Sequence, residues 1–265
     1  MYQMSIVTLH IKDLFVVLFF MIVTLSLAPE AFLNPFDVVI GDSRSDIWDH
    51  LWGHYRTEKS ILTYGKFPFY EGSINYPNGG NLYHVDLLNS LLVLPFRWIL
   101  GGVFCLNALV FFHMILSSIS MYILCRLCKC GRMASTLAGF LYTYAPHMLV
   151  FSLASGVSNR LNLAWIPLFF VFYGLTLTRR RWIYTLCAGV CFFLAALGCW
   201  HYAFFIFLIT IPLSIYILFL RFRIDSLQVL CIDWIGRKML PVALLCALGA
   251  IPLSQAASGS IAMDS

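Results

Sequence analysis

The stretch Gly41-Asp42-Ser43-Arg44-Ser45-Asp46-Ile47-Trp48-Asp49-His50-Leu51-Trp52 gathers carboxylates, a histidine and two indoles in a chain that otherwise avoids charge. Of the 12 Asp and Glu in 265 residues, seven fall between Asp37 and Asp86. Asp46, Asp49 and His50 are three and four apart, a spacing that puts them on one helical face. A carboxylate set in such a group can take the proton from an acceptor hydroxyl. Trp48 and Trp52, four apart, give an adjacent apolar face suited to a bilayer surface. Gly41 lets the chain turn sharply, and Asp42 or Ser43 is placed to cap the helix that follows. A plain cap and a solvated helix face explain the same residues, so their position in the molecule has to decide.

Composition fixes that position. A 61% hydrophobic content, 11% charged residues and a mean hydropathy of +0.85 stand far from a soluble domain, where about 25% of residues are charged. So much apolar surface calls for lipid. The net charge of +5 does not point to nucleic acid, because the bases sit in short clusters between apolar runs. These are Arg126, Lys129 and Arg132; Arg179 to Arg181; Arg221 and Arg223; Arg237 and Lys238. That is the pattern of cytoplasmic loops under the positive-inside rule. Cys105, Cys187, Cys191, Cys199 and Cys246 lie in apolar runs and read as small hydrophobes. Cys125, Cys128 and Cys130 lack the fourth ligand that a zinc site needs.

At about 20 residues per crossing, the sequence predicts an all-α fold: a polytopic transmembrane helical bundle forming a single domain over residues 1–265. Seven spans are expected, from Leu14 to Phe32, Phe104 to Leu124, Ala134 to Ser152, Leu161 to Leu177, Ile183 to Cys199, Ala203 to Leu220 and Met239 to Ser254. Val85 to Leu100 carries Asp86, Asn89, Pro95 and Arg97. It reads as an interfacial or re-entrant helix with Asp86 near its N-terminus, where the helix dipole favours an anion. The N-terminus is then cytoplasmic, and residues 34–86 form a long first external loop with helical segments. That loop is the sizeable water-facing piece, and Ile74 to Asn81 within it is a turn cluster. His50, His54, His84 and His201 fall on the same external side, as do Arg44, Lys66, Arg97 and Arg160.

The order of features resembles a branch of large polytopic bacterial membrane proteins related to the GT-C glycosyltransferases. The residues that carry the resemblance are Gly41-Asp42 after the first span, Trp48, Trp52, Asn75-Tyr76-Pro77, Leu82 and Asp86. It continues through Leu94-Pro95, Asn107, Tyr122-x-Leu124, Ala145-Pro146, Trp165-x-Pro167-Leu168 and Tyr202. It covers about residues 14 to 220 and is a pattern of scattered positions. It implies an inner (cytoplasmic) membrane enzyme that transfers a sugar from a polyprenyl-phosphate-linked donor at the external face. Asp42 matches the acid that acts there as catalytic base. Asp46, Asp49, His50, Asp86, His84, His201 and Arg160 are the supporting and substrate-binding candidates, with Arg160 the best-placed cation for the leaving phosphate. A divalent metal, Mg or Mn, held by Asp42 and Asp46 would serve the same purpose.

Two departures qualify the resemblance. Ser43 replaces the second acid of the adjacent pair found in several GT-C families, and the chain stops soon after the seventh span. A truncated or split member, with a complementing subunit or a missing C-terminal part as partner, is therefore expected beside membrane lipids and the lipid-linked donor. Two readings compete with the enzyme: a transporter or flippase of lipid-linked saccharides, and a non-catalytic membrane scaffold. A transporter should concentrate ionisable groups and broken helices at mid-membrane.

Overall fold

The computed structural model describes residues 11–67, 70–81, 86–179 and 181–224. The expected span from Met239 to Ser254 and the candidate His84 lie outside these residues. The described chain is 77% helix, with almost no strand. Among the described residues, three helices are long and apolar enough to cross a membrane: Gly102–Leu127, Ser158–Thr178 and Trp200–Ile217.

The first expected span divides. Helix α1 runs Ile11–Ser26, and α2, Pro29–Leu33, starts on a proline whose missing N–H suits the first helical position. Beyond it, α3 covers Ile47–Leu62, α4 Leu87–Leu100 and α5 Gly102–Leu127. Between α3 and α4 the loop folds on a two-residue antiparallel ladder. In it β1 (Tyr70–Glu71) pairs Tyr70 with Asn81 and Glu71 with Gly80 of β2 (Gly80–Asn81). The turn cluster supplies the connection.

Gly101, at a left-handed φ of 78°, joins α4 to α5 as a helical hairpin. Asn89 and His113, each 12 residues from Gly101, meet at 2.7 Å. At 1.5 Å per residue this contact lies about 18 Å from the turn along each helix. The segment expected as an interfacial or re-entrant helix is thus the first limb of a hairpin with α5. Leu87, Leu88, Asn89, Ser90 and Val93 are buried, while Phe96, Trp98 and Ile99 are exposed.

The third expected span is broken. Helix α6 runs Arg132–Thr143 and stops before Pro146, with Ala145 in the extended conformation (ψ 143°) that a following proline favours. A three-residue helix, α7 (Pro146–Met148), leads into a π turn over Leu149–Ala154 and a 3-10 segment over Ser158–Ala164. Helices α8 (Trp165–Thr178), α9 (Trp182–Gly198) and α10 (Trp200–Ile224) follow with short corners. The expected tight turn at Trp200-His201-Tyr202 is the α9–α10 corner.

Packing in lipid depends on close fit, since lipid tails are as apolar as leucine. A Cβ at Gly139 of α6 would stand 2.6 Å from the Ser118 carbonyl oxygen of α5, so only glycine allows this approach. Phe20, Val110, Met114, Tyr144 and Leu161 fill the core around α1, α5 and α6. Phe169, Tyr173, Ala188, Phe192 and Ile206 fill a second one between α8, α9 and α10. The two ends of α5 differ. Near its C-terminus the Tyr122 hydroxyl (2.5 Å) and Arg132 Nε (2.9 Å) donate to buried Asp13 Oδ1, closing the basic end. Near its N-terminus Asn107 holds the segment that precedes Asp42.

Candidate functional site: an acid at an apolar cleft and a buried histidine cluster

Asn107 fixes the approach to Asp42 with three bonds. Its Oδ1 accepts from the Ile40 N–H (3.0 Å), and its Nδ2 donates to the carbonyls of Pro35 (3.1 Å) and Val38 (2.7 Å). Gly41 then turns at φ 136°, with its Cα side pressed against Gly156, where a Cβ would sit 3.0 Å from the Gly156 Cα. The Asp42 N–H donates to the Ala154 carbonyl (2.7 Å), and Ser45 Oγ to the Ser155 carbonyl (2.6 Å). The broken third span therefore ends against the acid-bearing loop.

Asp42 does not cap α3; Asp46 occupies that position, without a side-chain cap bond. Asp42 instead accepts the Arg44 N–H on Oδ1 (3.0 Å) and pairs with its guanidinium (3.5 Å), its side chain about half exposed. The Arg44 N–H first, and then its guanidinium, hold the carboxyl below its usual range, so Asp42 is ionised at neutral pH. An open cleft of about 520 Å³ runs along it, walled by Leu27, Ala31, Val38, Ile40, Leu149 and Leu153, with Glu30 as a second acid. Asp46 and Arg160 are not in its walls.

The expected common face of Asp46, Asp49 and His50 is split at its edge. Asp46 and Asp49 are exposed, while His50 is 6% exposed and turns inward. There it meets Asp86, whose side chain is fully buried. His50 Nδ1 lies 3.6 Å and His54 Nε2 3.5 Å from Asp86 Oδ2. The same oxygen accepts from Asn89 Nδ2 (3.0 Å) and from the Ser158 hydroxyl. Asn89 Oδ1 contacts His113 Nε2. Four elements (α3, α4, α5 and the 3-10 segment) thus converge on one carboxylate, which starts α4 in the left-handed region at φ 55°. Burial by itself pushes the Asp86 carboxyl up. The imidazoles of His50 and His54, 3.6 and 3.5 Å from Oδ2, outweigh it and leave the group below its usual range.

The remaining candidates are dispersed. Arg160 is exposed, and its carbonyl accepts from the Tyr202 hydroxyl at 2.6 Å. His201 is exposed and stacks on Trp200 with ring centroids 3.9 Å apart. Among the described residues, no three His, Cys, Asp or Glu are gathered so as to hold a metal ion. With Arg44 on Asp42 and Asp46 outside the cleft walls, these two acids do not fit the expected Mg or Mn site. Ser158 and His113 were not singled out as site residues by the sequence, Asn89 stood there only as a polar residue of the 85–100 segment, and His54 only as a histidine of the external side. The signal that could have joined them was the four-residue spacing of His50 and His54 ahead of a segment that opens on Asp86. Comparison of the chain with protein-family models, with curated proteins and with solved structures found no match.

Proposed function

We propose that the protein is an integral membrane glycosyltransferase that moves a sugar from a polyprenyl-phosphate-linked donor to a hydroxyl acceptor, with Asp42 as general base. The reading includes seven crossings of the inner membrane, a cytoplasmic N-terminus and residues 34–86 outside. The observation that carries it is the cleft, in which an ionised carboxylate adjoins a wall of Leu, Ala, Val and Ile side chains. Such a wall suits a prenyl chain, and the carboxylate at its edge suits the point where the acceptor hydroxyl loses its proton. Arg44, paired with Asp42, is the cation beside the cleft that is offered to the leaving phosphate.

The test uses the full-length protein in nanodiscs with polyprenyl phosphate carrying [14C]glucose or [14C]mannose. Asp42→Asn should lower transfer by about 10²- to 10⁴-fold, the usual contribution of a general base. Transfer by the Asn variant at the wild-type rate removes Asp42 as the base. One observation favours a carrier of lipid-linked saccharides instead: the helix break between Thr143 and Ser158 beside a buried ionisable cluster. A carrier moves labelled donor across a vesicle bilayer in the Asp42→Asn variant as fast as in the wild type.

A further inference from the structure

Taking the Asp86 carboxylate out of water requires a positive charge beside it. Among the described residues its ion-pair partners are the imidazoles of His50 and His54. Two other titratable groups face it. His113 of α5 reaches it through Asn89, and the Cys199 thiol at the end of α9 feels its charge. Among the described residues, His50 Nδ1, both nitrogens of His54 and Asp86 Oδ1 are buried and meet no hydrogen-bond partner. Two neutral imidazoles and an ionised carboxylate leave a buried negative charge. One added proton makes the group neutral, and a second leaves it positive. Proton equilibria of groups this close belong to the set rather than to one residue.

We propose that His50, His54 and Asp86 form a single-proton binding site, and that the proton it holds keeps the 154–158 turn in place. The ligand is a proton delivered by hydronium: one O–H bond of that ion breaks, leaving water, as one N–H or O–H bond forms on the cluster. The link to the turn is the Ser158 hydroxyl, which donates to Asp86 Oδ2. The same turn presents the Ala154 carbonyl to the Asp42 N–H and the Ser155 carbonyl to Ser45 Oγ. Without the proton, the buried negative charge draws in water and releases Ser158, and the support of Asp42 loosens. That last consequence rests on the glycosyltransferase reading; the proton site does not.

Hydrogen exchange of the full chain in detergent micelles, read on peptides covering residues 41–46 and 154–158, tests the charge requirement apart from any activity. His50→Gln and His54→Gln each leave one imidazole to carry the proton, so the carboxylate stays compensated and each should raise exchange only a few-fold. The double variant leaves the carboxylate uncompensated, and exchange should rise about 100-fold, beyond the product of the two singles. Adding Asp86→Asn removes the charge, and Asn accepts the left-handed backbone at this position. The triple variant should return towards the wild-type exchange, or restore folded protein where the double yields none. A double that equals the product of the singles overturns the proposal. So does a triple as loose, or as poorly folded, as the double.

Discussion

Asp42 and Asp86 lie near the two ends of one connecting segment and meet opposite surroundings. Asp42 is half exposed and held ionised by the backbone and guanidinium of Arg44. Asp86 is buried among two imidazoles, an amide and a hydroxyl. The first is accessible to a substrate; the second joins elements. Because the neighbouring imidazoles hold the folded Asp86 carboxyl below the usual carboxylate range, its contribution to stability is present above that range and is lost as the pH falls through and below it. Thermal unfolding in micelles from about pH 7 down to about pH 3 should therefore show an acid-side fall that Asp86→Asn reduces. An unchanged fall in the variant places the acid sensitivity elsewhere. The sequence marked both acids because they stand out in an apolar chain. It could not tell which was buried, since burial here comes from α5 and the 3-10 segment, more than twenty residues away along the chain.

Prolines and close approaches shape the elements. Pro29 and Pro146 split two expected spans, and the second break places the Ala154 carbonyl against Asp42. Both prolines were visible in the sequence. Hydropathy averaged across them, which is why continuous spans were expected from Leu14 to Phe32 and from Ala134 to Ser152. The α4–α5 hairpin was hidden for a different reason: the apolar face of a 14-residue helix looks the same on a membrane surface and against another helix. Asn107, read as a polar residue within a span, is the clamp on the 35–40 segment. Asn107→Leu leaves two carbonyls and an N–H without partners, a loss of about 1–3 kcal/mol for each group that stays buried. It should also lower glycosyl transfer while leaving the protein in the membrane. At Gly139, a valine meets the Ser118 carbonyl and should lower stability by about 1–3 kcal/mol, as overpacking does. Equal melting temperatures for Gly139→Val and wild type in the same detergent contradict that packing.

At the scale of the molecule, charge and tethering separate two ends. Arg126, Arg132 and buried Asp13 mark one, and the acid-bearing loop with the 154–158 turn marks the other. The orientation proposed above makes the basic end cytoplasmic. A membrane-impermeant maleimide should then label exposed Cys128 only after permeabilisation, and Ser73→Cys in intact cells. The reverse pattern inverts the topology. The central claim is that the cleft beside Asp42 receives the lipid chain of the donor. A polyprenyl phosphate with a photoreactive prenyl chain, irradiated with the full-length protein in nanodiscs, tests it most directly. Cross-links are expected in peptides covering residues 27–31 and 149–154, suppressed by unlabelled polyprenyl phosphate. Cross-links confined to the exposed face of α10, or insensitive to that competitor, contradict it.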